Sequence, residues 1–162
     1  MLYKIAQSVL VVIHTELLEV LVIRRVDTGT WQSVTGSKDF LTEDWTDTAR
    51  REVFEETGID THAPGVLLSD WGLENRYEIY PAFLHRYAPG ASHNTERVFG
   101  LRVPSGTSIV LSAREHTQWR WLPFMEAADV VFSPSNAEAI LMLREHFFSG
   151  PDGQGAQDGV RA

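Results

Sequence analysis

Hydrophobic positions along the chain follow two rhythms, and the change of rhythm marks the elements. Ile5 to Ile13 is an apolar, β-branched run, and LEVLVIRR (Leu18–Arg25) follows a short turn; both predict strands. TWQSVTG (Thr30–Gly36) reads as a third, shorter extended piece ending on glycine. A loop follows, and then the period lengthens. Trp45, Ala49, Val53 and Phe54 form an apolar stripe on a helix expected from Asp44 to Thr57. Thr42 or a neighbour can cap its start, acids fill its first turn, and Gly58 stands where a C-terminal cap belongs.

The second half is richer in strands. VLLSDW (Val66–Trp71), NRYEIYPAFLHRY (Asn75–Tyr87), ERVFGLRV (Glu96–Val103), SIVL (Ser108–Leu111) and QWRWL (Gln118–Leu122) are the candidates. Pro81 gives the second of these a bulge or an edge position. Ser133-Pro134 pairs a cap residue with proline at the first helical position and opens a helix to Phe148. Strands and helices mix without strict βαβ alternation, so the expected fold is α/β, a mixed sheet with helices packed on it. There is no internal repeat. One domain is expected over residues 1–149, followed by a Gly-rich, polar and disordered tail at 150–162.

Composition narrows the function. A chain of 162 residues suits one domain with a real core. Its net charge of −8 argues against general nucleic-acid or membrane-surface binding, which favours basic patches. The absence of cysteine removes disulfides, thiolate zinc sites and cysteine nucleophiles, and fits a reducing cytoplasm. The N-terminal stretch MLYKIAQSVLVVIH lacks the basic region and cleavage site of a signal peptide, and no apolar run reaches the length of a membrane span.

The helix carries the chemistry. Glu52, Glu55 and Glu56 stand at i, i+3 and i+4 and share one face. Like charges at that spacing cost a helix about 0.2–0.5 kcal/mol per pair. A hard cation such as Mg²⁺ or Mn²⁺ relieves the repulsion, and Arg51 can pair with Glu55 at i+4. Mg²⁺ prefers a few carboxylates plus substrate phosphates, so an acidic protein can still take a polyanion. The same glutamates are equally the makings of a solvated acidic face.

The wider pattern decides between these. Gly36, Glu43 and the run Arg51-Glu52-Val53-Phe54-Glu55-Glu56-Thr57-Gly58-Ile59 resemble the Nudix box, G-x5-E-x7-R-E-U-x-E-E-x-G-U with U apolar. One departure stands in the first gap, where six residues separate Gly36 from Glu43 instead of five. The extra residue falls in the loop SKDFLT.

The resemblance implies a Nudix-type α/β/α sandwich with a mixed sheet, and hydrolysis of a nucleoside diphosphate linked to another moiety. It implies Glu52 and Glu56 as main metal ligands, Glu55 as a further or water-mediated ligand, and Arg51 as the residue that orients them. Beyond the box, WQSVTGS, HRYAPG, NTE and EHTQWRWL are similar to one branch of the family, the bacterial dihydroneopterin triphosphate pyrophosphatases. That likeness runs from about Tyr3 to Phe148. It implies Glu115 as a further ligand or as the base that activates water. It implies substrate contacts at Lys4, Arg24, Thr35, the run Tyr77-Glu78-Ile79-Tyr80, and Ser133. Each has another explanation: Arg24 as a strand end, Tyr77 and Tyr80 as core, Ser133 as a helix cap.

The resemblance therefore implies an Mg²⁺-dependent pyrophosphatase that hydrolyses dihydroneopterin triphosphate to the monophosphate and pyrophosphate, with no nucleic-acid or membrane partner and an undetermined oligomeric state. A broader (d)NTP pyrophosphohydrolase is the nearest alternative. A non-catalytic Nudix-like binding module is the other, although it would need no hydrolytic carboxylate cluster.

Overall fold

The computed structural model describes residues 2–148, so the expected tail at 150–162 lies outside the described residues. Seven strands form one mixed sheet: β1 (Gln7–His14), β2 (Glu19–Arg25), β3 (Trp31–Gln32), β4 (Val34–Ser37), β5 (Leu67–Glu78), β6 (His93–Arg102) and β7 (His116–Pro123). Four helices accompany them: α1 (Trp45–Thr57), α2 (Phe124–Val130), α3 (Pro134–Leu141) and α4 (Leu143–Phe148). The central order is β3-β2-β1-β6-β5, with β4 joined to β1 and β7 to β2. Only β1 and β6 run parallel among these pairs.

The centre of the sheet, at β1 and β2, is buried on both faces, whereas β5 and β7 are largely exposed. Along β1, Val9, Val11 and Ile13 join Ala49 and Val53 of α1 in one core, while Leu10 and Val12 meet Ala127, Ala139 and Ile140 of α2 and α3 in another. That is why the strand reads as an unbroken apolar run: alternate residues face different helical layers. Each such side chain contributes about 1.5–3 kcal/mol by leaving water. The result is the expected α/β/α sandwich with a mixed sheet.

Several elements differ from expectation. The candidates Val66–Trp71 and Asn75–Tyr87 are not two strands. They merge into β5, whose register slips between Asp70 and Leu73, where Gly72 holds φ 69°. The glycine marks a bulge rather than an end. β5 stops at Glu78, and Pro81 opens a 3₁₀ helix over Pro81–Arg86. Proline lacks the ladder donor but suits a first helical position. Ser108–Leu111 is irregular; Val110 N–H donates to Thr57 O at 2.9 Å, so this segment ties off the end of α1.

The helices also bring corrections. α2 was not anticipated, although Phe124, Ala127, Ala128 and Val131 stand at i, i+3, i+4 and i+7 and pack together. The last helix divides at Met142 into α3 and α4. Asp44, not Thr42, occupies the N-cap of α1 and makes no side-chain cap bond. Phe54 leaves the apolar stripe and is 61% exposed. Gly58 caps α1 as expected, at φ 73° with its N–H on Phe54 O. Ser133 caps α3, accepting from Asn136 N–H.

Candidate active site

α1 lays its carboxylates against β4. Glu52 and Glu56 are buried, whereas Glu55 is exposed. Glu52 reaches its place because Gly36 has no side chain: a Cβ there would lie 1.9 Å from Glu52 Cδ. Arg51 is the organiser. Its Nη1 donates to Glu52 Oε1 at 2.9 Å and to Glu55 Oε2 at 3.4 Å, and its Nη2 donates to Ser37 O at 3.0 Å. Nε and Nη2 grip Glu43 at 3.1 and 3.0 Å. Asp39 pairs with Nε at 3.1 Å.

The extra loop residue does not displace Glu43. A turn closes from Glu43 N–H to Phe40 O, leaving Phe40 and Leu41 exposed. Glu43 remains buried, accepting also from Thr48 Oγ1 and Asp39 N–H. Hydrogen bonds from Arg51, foremost among the causes, lower its pKa to about 2 despite burial.

The inner carboxylates behave oppositely. Burial raises the pKa of Glu52 to about 7 against the pull of Arg51. Burial, then the charges of Glu52 and Glu115, raise Glu56 well above the usual carboxylate range, although Thr35 N–H favours its ionised form. Glu56 Oε2 is buried without a hydrogen-bond partner among the described residues.

The far wall comes from His116, the first residue of β7, and from Glu115 in the turn before it. Glu56, Glu115 and His116 each offer a donor atom, and these atoms lie within 4.8 Å of one another. His116 is buried with both ring nitrogens unpartnered among the described residues. Burial, then Arg25, lowers its pKa to about 4, so the ring is neutral at physiological pH. Arg25 lies opposite His116 in the ladder and holds Asp27 through two bonds of 2.8 and 2.6 Å.

The other face of the sheet carries a polar nest. Glu96 is buried and accepts from Ser135 Oγ at 3.0 Å and Asn75 Nδ2 at 3.4 Å. Asn94 Nδ2 donates to Ser8 Oγ at 2.8 Å and to Tyr77 OH at 2.9 Å. Burial raises the pKa of Glu96, and burial followed by the charge of Glu96 raises Tyr77 to about 12. Ser133 reaches this nest through Ser135, at 2.8 Å between hydroxyls.

The remaining expected contact residues are scattered around these two centres. Thr35 lies between them, its N–H toward Glu56 and its Oγ1 accepting from Gln32 at 3.2 Å. Lys4 is tied by its N–H to Arg86 O and feels Glu52 and Glu115. Partial burial, then Arg86 and Arg25, lowers its pKa against those acids. Arg24 points elsewhere, donating to Gly29 O at 3.0 Å on the exposed side of β2. Glu78 is exposed, Ile79 is buried, and Tyr80 is 56% exposed with its ring edge toward Phe83. Tyr77 thus joins the nest; among the described residues Glu78, Ile79 and Tyr80 make no side-chain hydrogen bond to it.

A NUDIX domain model matches residues 4–147. The chain belongs to the Nudix family. A dihydroneopterin triphosphate diphosphatase of Escherichia coli K12 is 41% identical over 140 residues, covering 85% of this chain and 91% of the relative. One of the same name from Haemophilus influenzae is 39% identical over 142 residues, covering 86% and 88%. The solved structure of the E. coli dihydroneopterin triphosphate pyrophosphohydrolase superposes with a TM-score of 0.78 at 40% identity, covering 86% of this chain and 95% of that one.

The donors of this Nudix chain fit a divalent cation: an orphaned buried carboxylate oxygen, raised acid pKa values and a converging set of ligand atoms all ask for positive charge. Motif reading located the acids but not Arg25, Glu96, Asn94 or Ser135. The sequence signals were there in part: Asn94 and Glu96 lie in the NTE segment that carries the resemblance, and Arg25 stands one place from the residue expected. Among the described residues no helix is long and apolar enough to cross a membrane.

Proposed function

We propose that this Nudix protein hydrolyses dihydroneopterin triphosphate to the monophosphate and pyrophosphate, using Mg²⁺ held by Glu52, Glu56 and Glu115. The observation that carries the substrate is the likeness, across most of the chain, to relatives bearing that activity in their names. The alternatives of a general (d)NTP pyrophosphohydrolase and of a non-catalytic module have no comparable support.

The chain's own residues divide the work. Arg51 locks Glu52 and Glu55 while Glu43 locks Arg51, so the carboxylates are held before substrate arrives. Bound there, Mg²⁺ supplies charge neutralisation of the phosphates and acidifies water. Glu115, exposed beside the buried acids, completes the set of carboxylates that would hold the ion. Lys4 contributes positive charge for phosphate oxygens. On the nest side, the Glu96 carboxylate suits the adjacent N–H donors of a pterin's aminopyrimidinone edge, and Tyr77 offers an aromatic face.

The test compares kcat/KM with Mg²⁺ for dihydroneopterin triphosphate and each (d)NTP. The pterin should be preferred, and Glu56→Gln should reduce turnover about 10³-fold, since a metal's share of transition-state stabilisation is several kcal/mol. A preference for any nucleotide overturns the substrate; full activity in the variant overturns the metal site.

A further inference from the structure

We propose that His116 supplies a ring nitrogen to the ion held by Glu56 and Glu115, making a mixed nitrogen–oxygen centre that holds Mn²⁺ more tightly than Mg²⁺. The inference rests on the metal-site reading above and goes beyond its carboxylate ligands.

The backbone delivers this histidine on purpose-built geometry. In the β2–β7 ladder, Ile23 faces Trp119 and Arg24 faces Gln118, so a regular ladder would set Thr117 opposite Arg25. Instead the register slips and His116 takes that place, leaving Thr117 as the extra, exposed residue of a bulge. A single-residue slip turns a side chain to the other face of a sheet. Here it turns His116 to the face of Leu21 and Ile23, which belong to the core shared with α1. α1 is the helix that carries Glu56.

What it meets there is unfinished. The imidazole is 3% exposed, and neither nitrogen has a hydrogen-bond partner among the described residues. Facing it, Glu56 Oε2 is buried and equally unpartnered. Two buried polar groups left open beside one another call for a shared partner. Glu56, Glu115 and His116 have donor atoms all within 4.8 Å of one another. Opposite ligands on an ion at about 2.1 Å stand about 4.2 Å apart, so only small shifts are needed. Arg25, the nearest cation in the ladder, is occupied by Asp27, which reduces its opposition to a metal. A neutral imidazole suits transition ions better than Mg²⁺, which prefers oxygen alone.

Pulsed EPR of Mn²⁺ added to metal-stripped protein tests this without reference to turnover. The spectrum should show ¹⁴N modulation that becomes a ¹⁵N pattern when the protein carries ¹⁵N-imidazole histidine. His116→Gln should abolish it and weaken Mn²⁺ binding about 10-fold or more by calorimetry, with a smaller change for Mg²⁺. Bound Mn²⁺ without histidine modulation in the wild-type protein overturns the proposal, as does Mg²⁺ binding tighter than Mn²⁺. The isotope experiment needs no variant, so a folding defect in His116→Gln leaves it decisive. Histidine coordination without pterin triphosphate hydrolysis would uphold this ligand and sink the proposed substrate; hydrolysis without histidine coordination would do the reverse.

Discussion

Gly36 and the Glu52 carboxylate occupy space that one methyl group would contest. The clash involves only the end of a flexible side chain, so Gly36→Ala should fold with nearly wild-type stability. Glu52 would have to swing away, and kcat/KM should drop about 10–100-fold, the usual cost of disturbing a ligand's support. Denaturation and steady-state kinetics on the same sample check this; a large stability loss with normal turnover would contradict it. The box glycine was legible in the sequence, but its reason was not, because the reason is a contact between residues sixteen positions apart in the chain. Arg24 and Arg25 show the same limit. Adjacent positions on a strand face opposite sides, and the ladder bulge, invisible in the chain's own pattern, decides what Arg25 meets.

At the level of elements, α1 was the most legible part of the molecule. Its stripe, its acids and its glycine cap are local properties, and Gly58 adopts the left-handed conformation that the cap requires. Gly58→Ala should cost about 1–2 kcal/mol for that conformation, with additional crowding against Val110 at 3.1 Å. Urea unfolding should show the loss while kcat at saturating Mg²⁺ stays near wild type; unchanged stability would mean the cap has rearranged. Elements that depend on partners were harder. β5 hides a bulge at Gly72, and Ser108–Leu111 has strand composition but joins no strand, its Val110 N–H bonding to the end of α1 instead. α2 is a short helix built on two alanines, too weakly apolar to stand out until Val20 and Val22 are seen beneath it.

For the whole molecule, the buried acids couple stability to pH and metal. Glu52 titrates at about 7 when folded but near 4.5 when unfolded, and Glu56 is displaced in the same direction. The folded state therefore holds protons that the unfolded state has lost, and metal-free protein should become less stable from pH 4.5 to 7, by on the order of 2 kcal/mol. Glu43, at about 2, works the other way: its contribution is present above pH 4.5 and is lost as pH falls through 2. Divalent cation should restore stability at pH 7.5, by about 2.7 kcal/mol at a hundred times its Kd, and do little at pH 5. Urea titrations at both pH values, with EDTA or with Mg²⁺, check this. A metal effect of equal size at pH 5 would contradict it.

Taken alone, the sequence determined the α/β class, the helix with its three glutamates, the glycine and arginine that frame it, and the family. The class and the helix follow from periodicity and spacing, where geometry is set by local backbone rules, and the family from the likeness of Gly36–Ile59 to the Nudix box. Tertiary structure alone decided that Glu43 still reaches Arg51 across a longer loop, that Glu96 closes a polar nest with Ser135, and that His116 faces Glu56. Those outcomes depend on ladder register and layer packing between distant segments. A one-residue slip at Thr117 separates an outward histidine from one that faces the carboxylates.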